Sequence, residues 1–157
     1  MRNRQKGFSL IELLIVVAII LIIAAIAIPN VMRAKMSANE TSAVESLRTL
    51  NTVCIQYSTS YGGYPPALAN LGPGTPATPA TADLIDSVLA SGVKSGYSFA
   101  YAAASTDASG NVLSYSIAAS PISPGTTGQR FFYTDQSGVI RANPAGLASV
   151  SSTPIGG

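Results

Sequence analysis

From Leu13 to Ile28 no residue is polar, yet Glu12 stands immediately before that run in the stretch KGFSLIELLIVV. Sixteen consecutive apolar residues leave few options. They form a buried core helix, a cleaved targeting segment or a membrane span. The stretch from Phe8 to Ile28 makes about 31 Å of helix at ~1.5 Å per residue, close to the ~30 Å of a bilayer's hydrocarbon core. Its Leu, Ile and Val residues favour insertion by roughly 4–7 kcal/mol, more than the ~3 kcal/mol that an acid costs even at mid-bilayer. The segment therefore inserts despite Glu12. Arg2, Arg4 and Lys6 before the run favour a cytoplasmic N-terminus, and Arg33 and Lys35 beyond it oppose this with fewer charges.

A secretory signal fits less well. Ala25-Ile26-Ala27 offers a small-residue cleavage site, but the apolar run exceeds the usual length and continues through that site. A plain anchor accounts for insertion and leaves Glu12 unexplained. No Lys or Arg occurs between Phe8 and Met32. The carboxyl either lies at the headgroup level in contact with water or meets a cation made elsewhere. Such a cation would be a new α-amine, exposed by cutting the chain just before Phe8.

The segment Lys6-Gly7-Phe8-Ser9-Leu10-Ile11-Glu12, followed by the apolar run and by AAIAIPN at 24–30, resembles the N-terminus of type IV prepilins and type II secretion pseudopilins. The resemblance implies a leader of residues 1–7 and cleavage between Gly7 and Phe8 by a membrane-embedded prepilin peptidase. It implies N-methylation of Phe8, and pairing of Glu12 with the Phe8 amine of another copy in a helical filament. Pairing within one chain competes, because positions 8 and 12 are one helical turn apart. The resemblance also implies residence in the inner membrane as a single pass before assembly. Afterwards the chain would lie in an extracellular pilus or a periplasmic pseudopilus, built by the pilus or type II secretion machinery. Many pilins carry a Gly within the apolar span. Here Ile20 to Ile23 is unbroken, so any melting of the helix in a filament is expected only just before Pro29.

Pro29 lacks an N–H and is expected to kink the helix. The filament-core half then covers 8–29 and an amphipathic half covers 30–61. In the second half Ala43, Leu47, Leu50, Cys54, Tyr57 and Tyr61 recur at three- and four-residue intervals, broadened by Val44 and Val53. Arg33, Lys35, Glu40, Glu45, Arg48 and Gln56 are placed mostly off this stripe. Cys54, the sole cysteine, reads as a buried hydrophobe. Gly62 reads as a left-handed cap. Asn39-Glu40-Thr41 matches a glycosylation sequon but is read as chance within a helix.

Residues 62–96 read as a variable connection, with a short helix over 82–90 capped by Thr81 and turning Leu84, Ile85, Val88 and Leu89 inward. Residues 97–141 read as an antiparallel sheet. Tyr97, Phe99 and Tyr101 alternate with small residues, as do Leu113, Tyr115 and Ile117. Asp107 to Asn111 forms the turn between them, Arg130 to Thr134 a third strand, and Val139 to Arg141 a fourth after the turn at Asp135 to Gly138. Residues 142–157 read as a tail. The expected fold class is α+β: a long N-terminal helix kinked at a proline and packed against a small antiparallel sheet, the pilin fold.

Composition narrows function further. There is no His and no Trp, which removes the commonest general acid/base and metal ligand. Asp107 and Asp135 lie in turns without the dense oxygen ligands that calcium requires. Outside the leader, six basic residues face seven acidic ones, so nothing suggests a nucleic-acid partner. No nucleophile–base pair can be named, which argues against an anchored enzyme, and no cofactor is called for. The reading is a structural filament subunit, with a type II secretion pseudopilin as the alternative.

Overall fold

The computed structural model describes residues 8–155. The leader residues 1–7, Gly7 among them, and residues 156–157 lie outside the described residues. The chain forms two compact units that divide between Lys35 and Met36.

One helix, α1, runs Leu10–Tyr61 and contains Pro29. Pro29 therefore does not end it. Asn30 turns its side-chain amide back onto the Ile26 carbonyl at 3.1 Å, so this polar residue satisfies itself on its own helix. In the first unit the large apolar side chains are exposed, from Leu10 at 75% to Ile28 at 58%. An 18-residue window of α1 has a mean hydropathy of 3.3 and is long and apolar enough to cross a membrane.

In the second unit, residues 36–61 of α1 pack against a six-stranded antiparallel sheet with strand order β1-β2-β3-β4-β5-β6. The strands are β1 Val93–Lys94, β2 Tyr97–Thr106, β3 Val112–Pro121, β4 Phe131–Asp135, β5 Arg141–Asn143 and β6 Thr153–Pro154. Ala43, Leu47, Leu50, Cys54 and Tyr57 of the helix meet Tyr97, Phe99, Tyr115, Ile117 and Phe132 of the sheet in one buried cluster. Gly62 adopts φ +83° and donates its N–H to the Ser58 carbonyl at 2.9 Å, closing α1 in the left-handed region that glycine favours.

Several elements differ from the sequence reading. The helix expected over 82–90 is only α2, Ser87–Ala90, and its cap is Asp86 rather than Thr81. Asp83 sits at φ +54°, which interrupts any helix there. The N–H groups of Ala82, Asp83, Leu84 and Ile85 bond the carbonyls of Asn70, Gly72 and Leu71 instead. Val88, expected inward, is exposed. The residues Val139 and Ile140 precede the fourth expected strand, which begins at Arg141. Leu113 points outward because the β2–β3 register shifts between Ala103 and Thr106, so burial passes from Val112 to Tyr115 without Leu113. The sheet also runs beyond both limits read from sequence, to β1 on one side and β6 on the other.

Candidate functional site

The first turn of α1 shows how Glu12 is held. Ser9 precedes the helix and its carbonyl accepts the Leu13 N–H at 3.3 Å. Glu12 reaches back and its Oε2 accepts the Ser9 backbone N–H at 2.9 Å. This is the acidic half of a capping box: a carboxylate three residues into a helix satisfies an N–H that the helix leaves unpaired. The negative charge also sits at the positive end of the helix dipole. The pattern Ser-x-x-Glu before an apolar run is itself a signature of a helix start. It offers Glu12 a local role beside any charge pairing.

The ion pairs among the described residues join Arg48 to Glu45, Lys94 to Asp86 and Arg130 to Glu40. Glu12 belongs to none of them. Phe8 is 87% exposed. The structure thus brings Glu12 onto Ser9, leaves Phe8 uncovered, and places Pro29 inside the helix away from both.

The second unit contains two polar sites within the helix–sheet packing. Glu40, read as lying off the stripe, is buried. Its Oε1 accepts the backbone N–H groups of Gln129 and Arg130 at 2.8 and 3.1 Å, and its Oε2 accepts Arg130 Nε at 2.7 Å. Burial pushes this carboxyl upward, but the three hydrogen bonds and the guanidinium charge outweigh it and hold the group below the usual carboxylate value. Deeper in, Asn51 donates to Thr134 Oγ1 at 2.9 Å and accepts from Tyr115 Oη at 3.0 Å. Tyr115 stacks against Tyr101 with ring centroids 5.7 Å apart. Burial pushes the Cys54 thiol up to about 12.

The description "Prokaryotic N-terminal methylation motif" matches residues 2–28. The N-terminal segment carries that motif, and it is similar to pilins and to type II secretion core proteins. The type IV wide pilus major component PilA4 of Thermus thermophilus is 63% identical over 41 residues, which is 26% of this chain and 30% of that protein. The type IV major pilin protein PilA of Myxococcus xanthus is 51% identical over 49 residues, 31% of this chain and 22% of its own length. The type II secretion system core protein G of Dickeya chrysanthemi is 32% identical over 84 residues, covering 50% of this chain and 55% of that protein. The chain thus spans between about a fifth and just over half of these relatives' lengths. No solved structure matches the chain.

The remaining residues singled out from the sequence have structural surroundings. Asp107 accepts the N–H groups of Ser109 and Asn111 and the Asn111 side-chain amide, and Asp135 accepts the Ser137 N–H. Both carboxylates close turns. The Asn39 side-chain amide of the sequon donates to the Thr127 carbonyl at 2.8 Å, so the nitrogen that would carry a sugar is already engaged.

Proposed function

We propose that this chain is a structural subunit of a type IV pilus-like filament and not a catalyst. The observation that carries this reading is a helix with exposed apolar residues that begins in a methylation motif. Before assembly, lipid solvates that surface. A prepilin peptidase cuts between Gly7 and Phe8 and methylates the new Phe8 amine, which keeps its positive charge. As a subunit leaves the membrane, packing against other copies replaces lipid around the apolar half of α1. Glu12 then meets the Phe8 amine of a neighbour, because an unpaired charge in that apolar interior is expensive and an opposite charge offsets part of the cost. In the structure Glu12 uses Oε2 for its own Ser9 N–H. Oε1 remains for the amine, so the cap and the pairing are compatible.

The test is to shear filaments from cells and examine the subunit's N-terminus by mass spectrometry. The expected species begins with N-methylated Phe8. A subunit starting at Met1 or Ile28 would overturn the reading. A second reading, a type II secretion pseudopilin, is favoured by one observation. The match to core protein G extends over 84 residues, about twice the span of the Thermus pilin match. Secretion lost on deletion of the gene, with surface filaments intact, would select it.

A further inference from the structure

A groove of about 350 Å³ lies within the second unit, between residues 42–49 of α1 and the segment 84–94. Its floor is apolar: Ile85 and Leu89 are buried, and Leu84 is half-buried. Its hydroxyl groups have already given their protons to the protein. Ser42 Oγ donates to Ser95 Oγ, Ser46 Oγ to the Ser42 carbonyl and Thr49 Oγ1 to the Glu45 carbonyl. These side chains therefore present lone pairs to an incoming group. Two carboxylates add to the acceptors. Asp86 is 54% exposed and holds Lys94 at 3.2 Å through Oδ2, while its Oδ1 takes the Leu89 N–H. Glu45 is 60% exposed and meets Arg48 through Oε1 alone. An apolar floor with an acceptor-rich rim matches one kind of side chain, an aliphatic stem ending in a cationic donor.

The chain supplies such groups. Arg48, Lys94 and Arg130 are paired with acids, and Arg141 donates to the Ser152 carbonyl. Arg33 and Lys35 are exposed and take part in none of the ion pairs or side-chain hydrogen bonds of the described residues. We propose that this groove receives the basic side chain of Arg33 or Lys35 from a second copy of the chain. The contact rests on the filament reading, and it adds a charged seam between subunits to the apolar packing of α1. The surface pairs Glu45–Arg48 and Asp86–Lys94 are exposed enough to rearrange at little cost when the new cation arrives.

The experiment uses full-length chains in cells that make the filament. Glu45→Lys should lower the yield of sheared filaments about tenfold, as should Arg33→Glu or Lys35→Glu, whichever residue occupies the groove. Combining Glu45→Lys with that second reversal should restore the yield. In parallel, Thr49→Cys joined with Arg33→Cys or Lys35→Cys should give a ladder of disulfide-linked multimers on mild oxidation of intact filaments. Each single cysteine should give none, because the native Cys54 is buried. Normal filaments from every reversed variant, or losses that neither swap restores together with no ladder, overturn the contact while the filament reading stands. If the unaltered chain yields no filament bearing methylated Phe8, the filament reading fails and the contact falls with it.

Discussion

Two stretches of one helix have opposite fates. Around its first half Leu21 and Ile22 are 63% and 64% exposed, whereas Leu47 and Leu50 in its second half are fully buried. Neither stretch is rich in the strongest helix formers: the first is mostly β-branched Ile and Val with Leu and Ala, and the second carries many Ser and Thr. Backbone hydrogen bonding within the helix satisfies each of them locally, and only the second half finds a sheet to bury its stripe. The lesson is that helix formation and core formation are separate matters here. Residues 36–155 hold their own core, while the large apolar residues before 36 are exposed, and in the proposed function lipid and then other copies would cover them.

That contrast breaks most visibly at a core position. Phe132→Ala should destabilise the detergent-solubilised full-length chain by about 3–5 kcal/mol in chemical denaturation, because Phe132 is completely buried against the helix. Ile22→Ala should leave the same transition where it was. Equal losses from the two variants would mean that the halves are not independent.

A smaller effect is expected at Glu40. Glu40→Ala removes the acceptor of two backbone N–H groups and of Arg130 Nε, which should cost about 2–3 kcal/mol. The folded carboxyl lies below its unfolded value of about 4.3. Its contribution is therefore full above that value and disappears as pH falls through the lower folded value. Melting of the wild-type chain should decline from about pH 4 downward, and Glu40→Gln should flatten that part of the profile. An unchanged profile would remove Glu40 from the account of acid stability.

Tyr115→Phe deletes one hydrogen bond to Asn51 and keeps the ring stack with Tyr101. A loss of about 1 kcal/mol in the same denaturation assay is expected. A loss several times larger would show that the buried network acts as a unit.

The smallest effect on the folded second unit, none, is expected from Glu12→Gln. Glutamine still accepts the Ser9 N–H, so the helix start persists. Without the charge, filament yield should drop at least about tenfold, equivalent to roughly 1.4 kcal/mol of pairing. Wild-type yield from this variant would separate Glu12 from assembly altogether.

What could be read from the chain follows from which residues speak for themselves. The stripe from Ala43 to Tyr57, the cap at Gly62 and the hairpin around Asp107 are local patterns with a period or a turn chemistry. The segment 82–90 misled because Leu84, Ile85, Val88 and Leu89 recur at helical spacing. Its backbone is instead committed to residues 70–72, a pairing that no local pattern signals. Two-residue strands such as β1 and β6 are too short to show alternation, and the register shift at Leu113 reverses which face a residue joins. At the candidate site, Glu12 drew attention as a charge among apolar residues, which hid the Ser9-x-x-Glu12 cap in the same four letters. Glu40 and Asn51 are polar residues three before Ala43 and four after Leu47, on or beside the buried stripe. That placement demands partners across the core, but their identities, Arg130, Thr134 and Tyr115, come from residues 64 to 90 positions away.

Cys54 gives the molecule an internal tell-tale of mechanical failure. Its sulfur is sealed under the sheet, and at neutral pH the thiol stays protonated, so maleimide or iodoacetamide in solution should not touch it. Pulling on the proposed fibre would change that only where the sheet peels from the helix. Labelling a stretched fibre and counting modified thiols would then report how many heads opened under tension, without adding a probe to the chain.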